Sequence, residues 1–111
     1  MTLAELKDAL DLQVLAGPAG LTRPVTGGYA SDLLSDVMAN AQAGQVWLTL
    51  QGHINVVAVG VLRELAGIIL VSGRTPAPDA VAKAEAEGLP LLKSNLPAFE
   101  LAGRIYQLLK G

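Results

Sequence analysis

The sequence predicts an α/β fold, a three-layer α/β/α sandwich around a mostly parallel central sheet. Three observations carry the prediction. Segments with helical apolar spacing alternate with short aliphatic runs. Two of those runs, QVWLTL at residues 45–50 and GIILV at residues 67–71, are apolar without alternation, as strands covered on both faces are. Apolar residues make up 51% of the chain and aromatics only 4%, so the core must be aliphatic and small, built from Ala, Val, Leu and Gly. The 111 residues suit one domain with a single core.

Each element has its own local reason. Thr2 and Glu5 stand at capping-box spacing ahead of Leu3, Leu6 and Leu10, which share a helical face, so a helix is expected at residues 3–10. LQVLAG forms a short strand, closed by the turn string Gly17-Pro18-Ala19-Gly20. Arg23-Pro24-Val25-Thr26 extends into a second strand, and Gly27-Gly28 provides a sharp bend. Ser31 or Asp32 caps the next helix, whose Leu33, Leu34, Val37, Met38 and Ala41 follow a 3-4 spacing, with Gly44 as its stop. QVWLTL follows as a buried strand, and Trp47 belongs to the core.

Ile54 to Leu62 forms a helix with almost no polar face. Such a helix is buried on more than one side. One side is the sheet; the other is either a neighbouring helix or another protein chain. GIILV supplies a central parallel strand. Pro78 and Asp79 suit the first turn of a helix that buries Val81 and Ala84 and ends at Gly88. Leu89 to Leu92 is a short strand. Pro97 opens a last helix, with Leu101, Ile105 and Leu108 on one face and Lys110 at its end.

Composition excludes several functions. The net charge is -2 without a basic stripe, which argues against nucleic acid as a partner. With no cysteine there is no disulfide framework and no thiolate nucleophile or ligand. His53 is the only histidine, and no acidic residue stands at ligand spacing from it, so no metal is expected. The G-x-S-x-G and G-x-x-x-x-G-K patterns are both absent. No cofactor and no enzymatic activity are expected. The start, MTLAELKDAL, carries charges among its apolar residues and is not a secretory signal, so a cytoplasmic protein is expected. Residues 37–62 are uncharged, but Gln51–Asn55 interrupt them mid-span, so no membrane span is expected.

In parallel sheets, ligands collect beyond the carboxyl ends of the strands. Polar residues and glycines of this chain gather there, and six of them form the expected pocket: Gly28, Asp32, His53, Asn55, Gly73 and Arg74. For His53 two roles stand open. Its imidazole either exchanges a proton with a bound anion or a partner chain, or it caps and hydrogen-bonds its own loop. Arg74 either holds a phosphate or carboxylate in its planar fork or is an exposed turn residue before Pro76. Asp32 and Asp36 either act as an acid–base pair or serve as caps and dipole partners at a helix start.

GGYASDLLSDVMANA, then QVWLTLQGHINVVAVGVLRELAGIILVSGRTP and GLPLLKSNLPAFELAGRIYQLL, resemble the DRTGG domain over nearly the whole chain. GLTRPVTG, the GIILVSGRTPAPDAV step and AEAEGLPLLKSN also resemble the amino-terminal domain of HPr kinase/phosphorylase. The literal string DRTGG is missing; its nearest fragments are Leu21-Thr22-Arg23-Pro24 and Ser72-Gly73-Arg74-Thr75. The resemblance implies a single regulatory, ligand-sensing domain spanning residues 1–111 and no kinase chemistry. The expected function is therefore a non-catalytic domain that self-associates, as a homodimer through the apolar helix Ile54–Leu62, and binds a small anionic ligand such as a nucleotide or phosphometabolite. The alternative is a protein–protein interaction module without a ligand.

Overall fold

The computed structural model describes residues 1–110. In chain order the elements are α1 (Leu3–Leu10), β1 (Gln13–Ala16), a 3-10 turn (Pro18–Gly20), β2 (Gly27–Ala30) and α2 (Leu34–Asn40). They continue with β3 (Gln45–Thr49), α3 (Ile54–Leu62), β4 (Gly67–Leu70), α4 (Pro78–Glu87), β5 (Leu91–Lys93) and α5 (Ala98–Lys110). The strands form one sheet in the order β1-β5-β4-β3-β2. β2, β3, β4 and β5 are parallel, and β1 lies antiparallel against β5. The expected three-layer α/β/α sandwich is the fold observed.

The layers follow from strand order. When parallel strands are laid side by side in sequence, crossovers of one hand put every connecting helix on one face. Trp47, Ile68 and Leu70 point into that face and pack with Val37 of α2, Val56, Val57 and Val59 of α3, and Ala80 and Ala84 of α4. Val46, Leu48, Ile69 and Leu92 point to the other face, onto Leu3 and Leu6 of α1 and Leu101 and Ile105 of α5. α1 forms as expected. Thr2 Oγ1 accepts from the Glu5 N–H, and the Glu5 carboxylate accepts from the Thr2 N–H.

The second strand differs from expectation. Residues 23–26 are not a strand: Pro24 makes only an isolated bridge with Thr2, and the Val25 N–H donates to the Met1 carbonyl. Proline has no N–H for a ladder, so pairing starts beyond it. Gly27 and Gly28 are therefore strand residues, with no positive φ and no bend. Gly44 does not stop α2 either. The helix ends at Asn40 with Ala41 extended, and Gly44, at φ +85°, lies in the turn that feeds β3. β5 begins at Leu91 rather than Leu89 because the Leu89 N–H donates to the Ala84 carbonyl and Pro90 has none to give.

α3 has the expected limits, and its apolar circumference is covered within the chain. It lies between α2 and α4 on the sheet, and Gly60 lets it sit close. A Cβ there would stand 2.8 Å from Leu89 Cδ2 and 3.0 Å from Ile68 Cδ1. Of its large apolar side chains only Ile54 and Leu62, at the two ends, are exposed, at 36% and 68%. Of the two ways to cover this helix, the structure uses the neighbouring helices, so burial of α3 gives no reason for a second chain.

Gly17 and Gly88 separate two roles of glycine. Both are left-handed, at φ +68° and +66°. A Cβ on Gly17 would overlap the Leu89 carbonyl, while a Cβ on Gly88 meets nothing within 4 Å. Gly88→Ala is expected to cost about 1 kcal/mol, the conformational term alone. Gly17→Ala adds a backbone clash and is expected to cost about 3 kcal/mol or more. Urea unfolding of the two variants checks the difference.

Candidate functional site

The carboxyl edge of the sheet is built from loops tied to their neighbours. The Asp32 carboxylate, in the β2–α2 loop, accepts from Thr49 Oγ1 at 2.9 Å and from the Leu50 N–H at 2.8 Å, at the end of β3. Trp47 Nε1 donates to the Ser31 carbonyl at 2.8 Å. The Gly52 carbonyl, in the β3–α3 loop, accepts from the Ala77 N–H at 2.8 Å. The Ser72 and Gly73 N–H groups donate to the Leu96 and Ser94 carbonyls, each at 2.8 Å, and join the β4–α4 loop to the β5–α5 loop.

The last pair of loops marks the switch point. α4 leaves β4 toward one face and α5 leaves β5 toward the other, the arrangement that opens a crevice in α/β sheets. Here backbone hydrogen bonds close it. Ser72 at φ +56° and Gly73 at φ +68° fold the chain tightly enough to reach across. A Cβ on Gly73 would come 3.1 Å from Asn95 Oδ1. Lys93, at the end of β5, reaches over the same loops, its Nζ 3.4 Å from Thr75 Oγ1.

The six expected site residues divide accordingly. Asp32, His53, Asn55, Gly73 and Arg74 all lie on the carboxyl edge. Gly28 does not: it lies within β2, opposite Val46, and borders a separate cleft against α5. Asp32 is not a helix cap; its carboxylate joins β2 to β3, and Leu33 caps α2 without a side-chain bond. His53 takes the capping role. It is the N-cap of α3, where Nδ1 accepts from the Asn55 N–H at 3.3 Å. The residue as a whole is exposed. Arg74 is exposed and, among the described residues, forms no ion pair.

Lys93 and Thr49 lie outside the expected pocket. Thr49 is buried, and its hydroxyl also accepts from the Gln51 N–H at 3.1 Å. Its signal in the sequence is a polar residue near the end of an apolar run. Lys93 is the corresponding residue of the last strand.

Asp36 has a structural partner. Tyr29 Oη donates to its Oδ2 at 2.8 Å, and Asn40 Nδ2 donates to Oδ1 at 2.9 Å. Hydrogen bonds from Tyr29, Ser31 and Asn40 hold the Asp36 carboxyl below the ordinary aspartate range. The bond to Asp36, with some burial, raises the Tyr29 phenol above its ordinary value. Asp32 and Asp36 therefore serve separate contacts rather than one acid–base pair.

Among the described residues three clefts stand out, two away from the carboxyl edge and one on it. The largest, about 410 Å³, runs between β2 and α5. One of about 360 Å³ lies at the amino edge beside Arg23, Glu64 and Glu87. One of about 400 Å³, lined by Asp11, Leu12, Gln13, Lys93 and Asn95, lies at the carboxyl edge between β1 and β5. Arg23 braces the amino edge, its Nη2 donating to the Gly88 carbonyl at 3.0 Å. Among the described residues no group of three His, Asp or Glu side chains could hold a metal ion, and no helix is long and apolar enough to cross a membrane.

The architecture places the chain among three-layer α/β domains with a DRTGG-like fold. It is similar to the CBS and DRTGG domains of the regulatory region of Clostridium perfringens pyrophosphatase, solved in complex with the activator diadenosine tetraphosphate. The TM-score is 0.74 at 13% identity, with 94% of this chain and 45% of that one covered. At that identity the likeness concerns the fold, and the chain spans less than half of the regulatory region it matches. No family model matches the chain, and no curated protein matches it in sequence.

Two outcomes are expected from this geometry. Asp32→Ala leaves the buried Thr49 hydroxyl and the Leu50 N–H without their acceptor, and should lower unfolding stability by about 1–2 kcal/mol in urea melts. The Asp36–Tyr29 pair should also shape stability against pH. A carboxyl lowered by folding stabilises above its unfolded value, and that contribution is lost as pH falls through the lowered one. A phenol raised by folding stabilises below its unfolded value, and that contribution is lost as pH rises through the raised one. Tyr29→Phe should therefore reduce the acid limb and remove this part of the alkaline limb. Urea midpoints across pH, with tyrosinate absorbance for Tyr29, measure both.

Proposed function

We propose that this chain is a non-catalytic regulatory domain that senses a small anion, a nucleotide or phosphorylated metabolite, at its carboxyl edge. The observation that carries the reading is the reach of Lys93 across the switch point to the loop that bears Arg74. Arg74 lies in the β4–α4 loop and Lys93 ends β5, and Lys93 Nζ reaches Thr75, the residue after Arg74. A guanidinium and an ammonium held by hydrogen-bonded loops suit an anion with several oxygens. Asn95 adds a polar side chain and Asp11, in the cleft beside Lys93, a negative charge. His53 and Asn55 stand farther along the same edge, and Asp32 and Gly73 shape its loops. The pyrophosphatase region of the same fold is bound to a nucleotide activator, which supports the ligand class. The resemblance to the HPr kinase amino-terminal domain concerns a part without the kinase phosphate loop. Self-association and a cytoplasmic setting belong to the same proposal.

A pure interaction module is the second reading. It is favoured by the closed crevice at the switch point: the Ser72 and Gly73 amides are taken by the Leu96 and Ser94 carbonyls.

Thermal shift separates the two, because a ligand that binds only the folded form raises Tm. Inorganic phosphate, pyrophosphate, AMP, ATP and sugar phosphates are the probes. A rise of several degrees with one of them, abolished in Arg74→Ala/Lys93→Ala, is the expected result. No shift with any probe favours the interaction module.

A further inference from the structure

The two edges of the sheet are treated differently. β1, at one edge, is broken by an irregularity between Val14 and Ala16. Such a break twists a strand away and discourages further pairing. β2, at the other edge, is hydrogen-bonded only to β3, in unbroken register from Gly27 to Ala30. Its sequence, GGYA, holds none of the charges or prolines that commonly guard an exposed edge.

The fold itself does not require the glycines of β2. A Cβ on Gly27 would stand 3.6 Å from the Gln45 side chain, and one on Gly28 3.8 Å from Val46, both ordinary contacts. Neither residue has a positive φ. Glycine weakens a strand interior, and its common use there is the close approach of another backbone or a ligand. Beside this edge lies the cleft of about 410 Å³ under α5, with Gly28 and Ala30 in its lining and Tyr106 at its wall. Tyr106 is 64% exposed.

We propose that β2 pairs antiparallel with β2 of a second copy about a two-fold axis, making one continuous sheet from two. The proposal rests on the self-association reading and gives it a location other than α3. Free N–H and C=O groups on a strand edge are matched by another strand. Charge favours a second copy over an unrelated strand. α5 starts at the carboxyl edge and runs back over the sheet, so Lys110 lies with Thr26 and Gly27 at the start of β2. Asp32 follows the other end of the strand and is exposed. Antiparallel pairing sets the start of one β2 against the end of the other, so Lys110 of each copy approaches Asp32 of its mate. The two Tyr106 rings then flank the seam.

The absence of native cysteine makes a clean test. Gly28→Cys and Leu62→Cys are made in the full chain, the second on the exposed end of α3, and folding is checked by circular dichroism. Light scattering at micromolar concentration gives the oligomeric state, and a short bis-maleimide reports which thiols meet. The expected result is a dimer, with Gly28→Cys cross-linked in high yield and Leu62→Cys not. Lys110→Glu, which sets a like charge against Asp32 of the mate, should weaken the dimer at least tenfold while the monomer stays folded. A dimer that cross-links through Leu62→Cys alone overturns the β2 interface and leaves self-association standing. A monomer at every concentration overturns both. If Gly28→Cys does not fold, hydrogen exchange of the unaltered chain decides. Slowing of the β2 backbone amides with rising concentration supports the interface, and no slowing overturns it.

Discussion

The central constraint is that β3 and β4 are apolar on both faces. A strand such as Gly67–Leu70, buried along its whole length, needs cover above and below. Laying the parallel strands in sequence order uses all three crossover helices on one face. The opposite face would be bare, and α1 and α5, at the two ends of the chain, fill it. The sandwich is thus the consequence of short central strands whose inner residues, Val46, Trp47 and Leu48 in β3 and Ile68, Ile69 and Leu70 in β4, are all apolar. It also explains the composition, because two thin layers of helix pack closely only over small aliphatic side chains. Gly60 under α3 is the extreme case.

The same strand order shapes the candidate site. Sequential strands bring the loops at the carboxyl edge into a single row. Asp32, Gly52 and Gly73 each bond to the next loop in that row. The row is consequently stiff, and a ligand there meets side chains on a fixed frame. Stiffness also consumes donors. The Ser72 and Gly73 amides are taken by carbonyls, which leaves side chains as the free polar groups of that loop pair. Arg74 and Lys93 lie where helices leave for opposite faces.

Much of this is legible in the residues. The capping box of α1, the apolar length of α3, the central strands and the last helix each rest on local signals, and the structure places them within a residue or two. Helix α2 is legible by its apolar spacing, but its capping is not. Ser31 and Asp32 both have suitable side chains, and a buried threonine far along the chain claims the carboxylate. β2 escapes a local reading for a similar reason. Its glycines have the composition of a turn, and only pairing with β3 makes them a strand. The role of His53 also depends on the folded loop, since a capping imidazole and a ligand-binding one have the same sequence context. Gly28 belongs with the edge loops only if the chain bends there, and it leaves that group because the expected bend is a strand.

The topology also bears on how the molecule is made. Strand β1 precedes the other four strands in the sequence, yet its sole strand partner is β5. Gln13 pairs with Lys93, so the sheet cannot close until all the residues between them have been made. During synthesis β2, β3 and β4 can associate as each appears, while the amino-terminal segment waits.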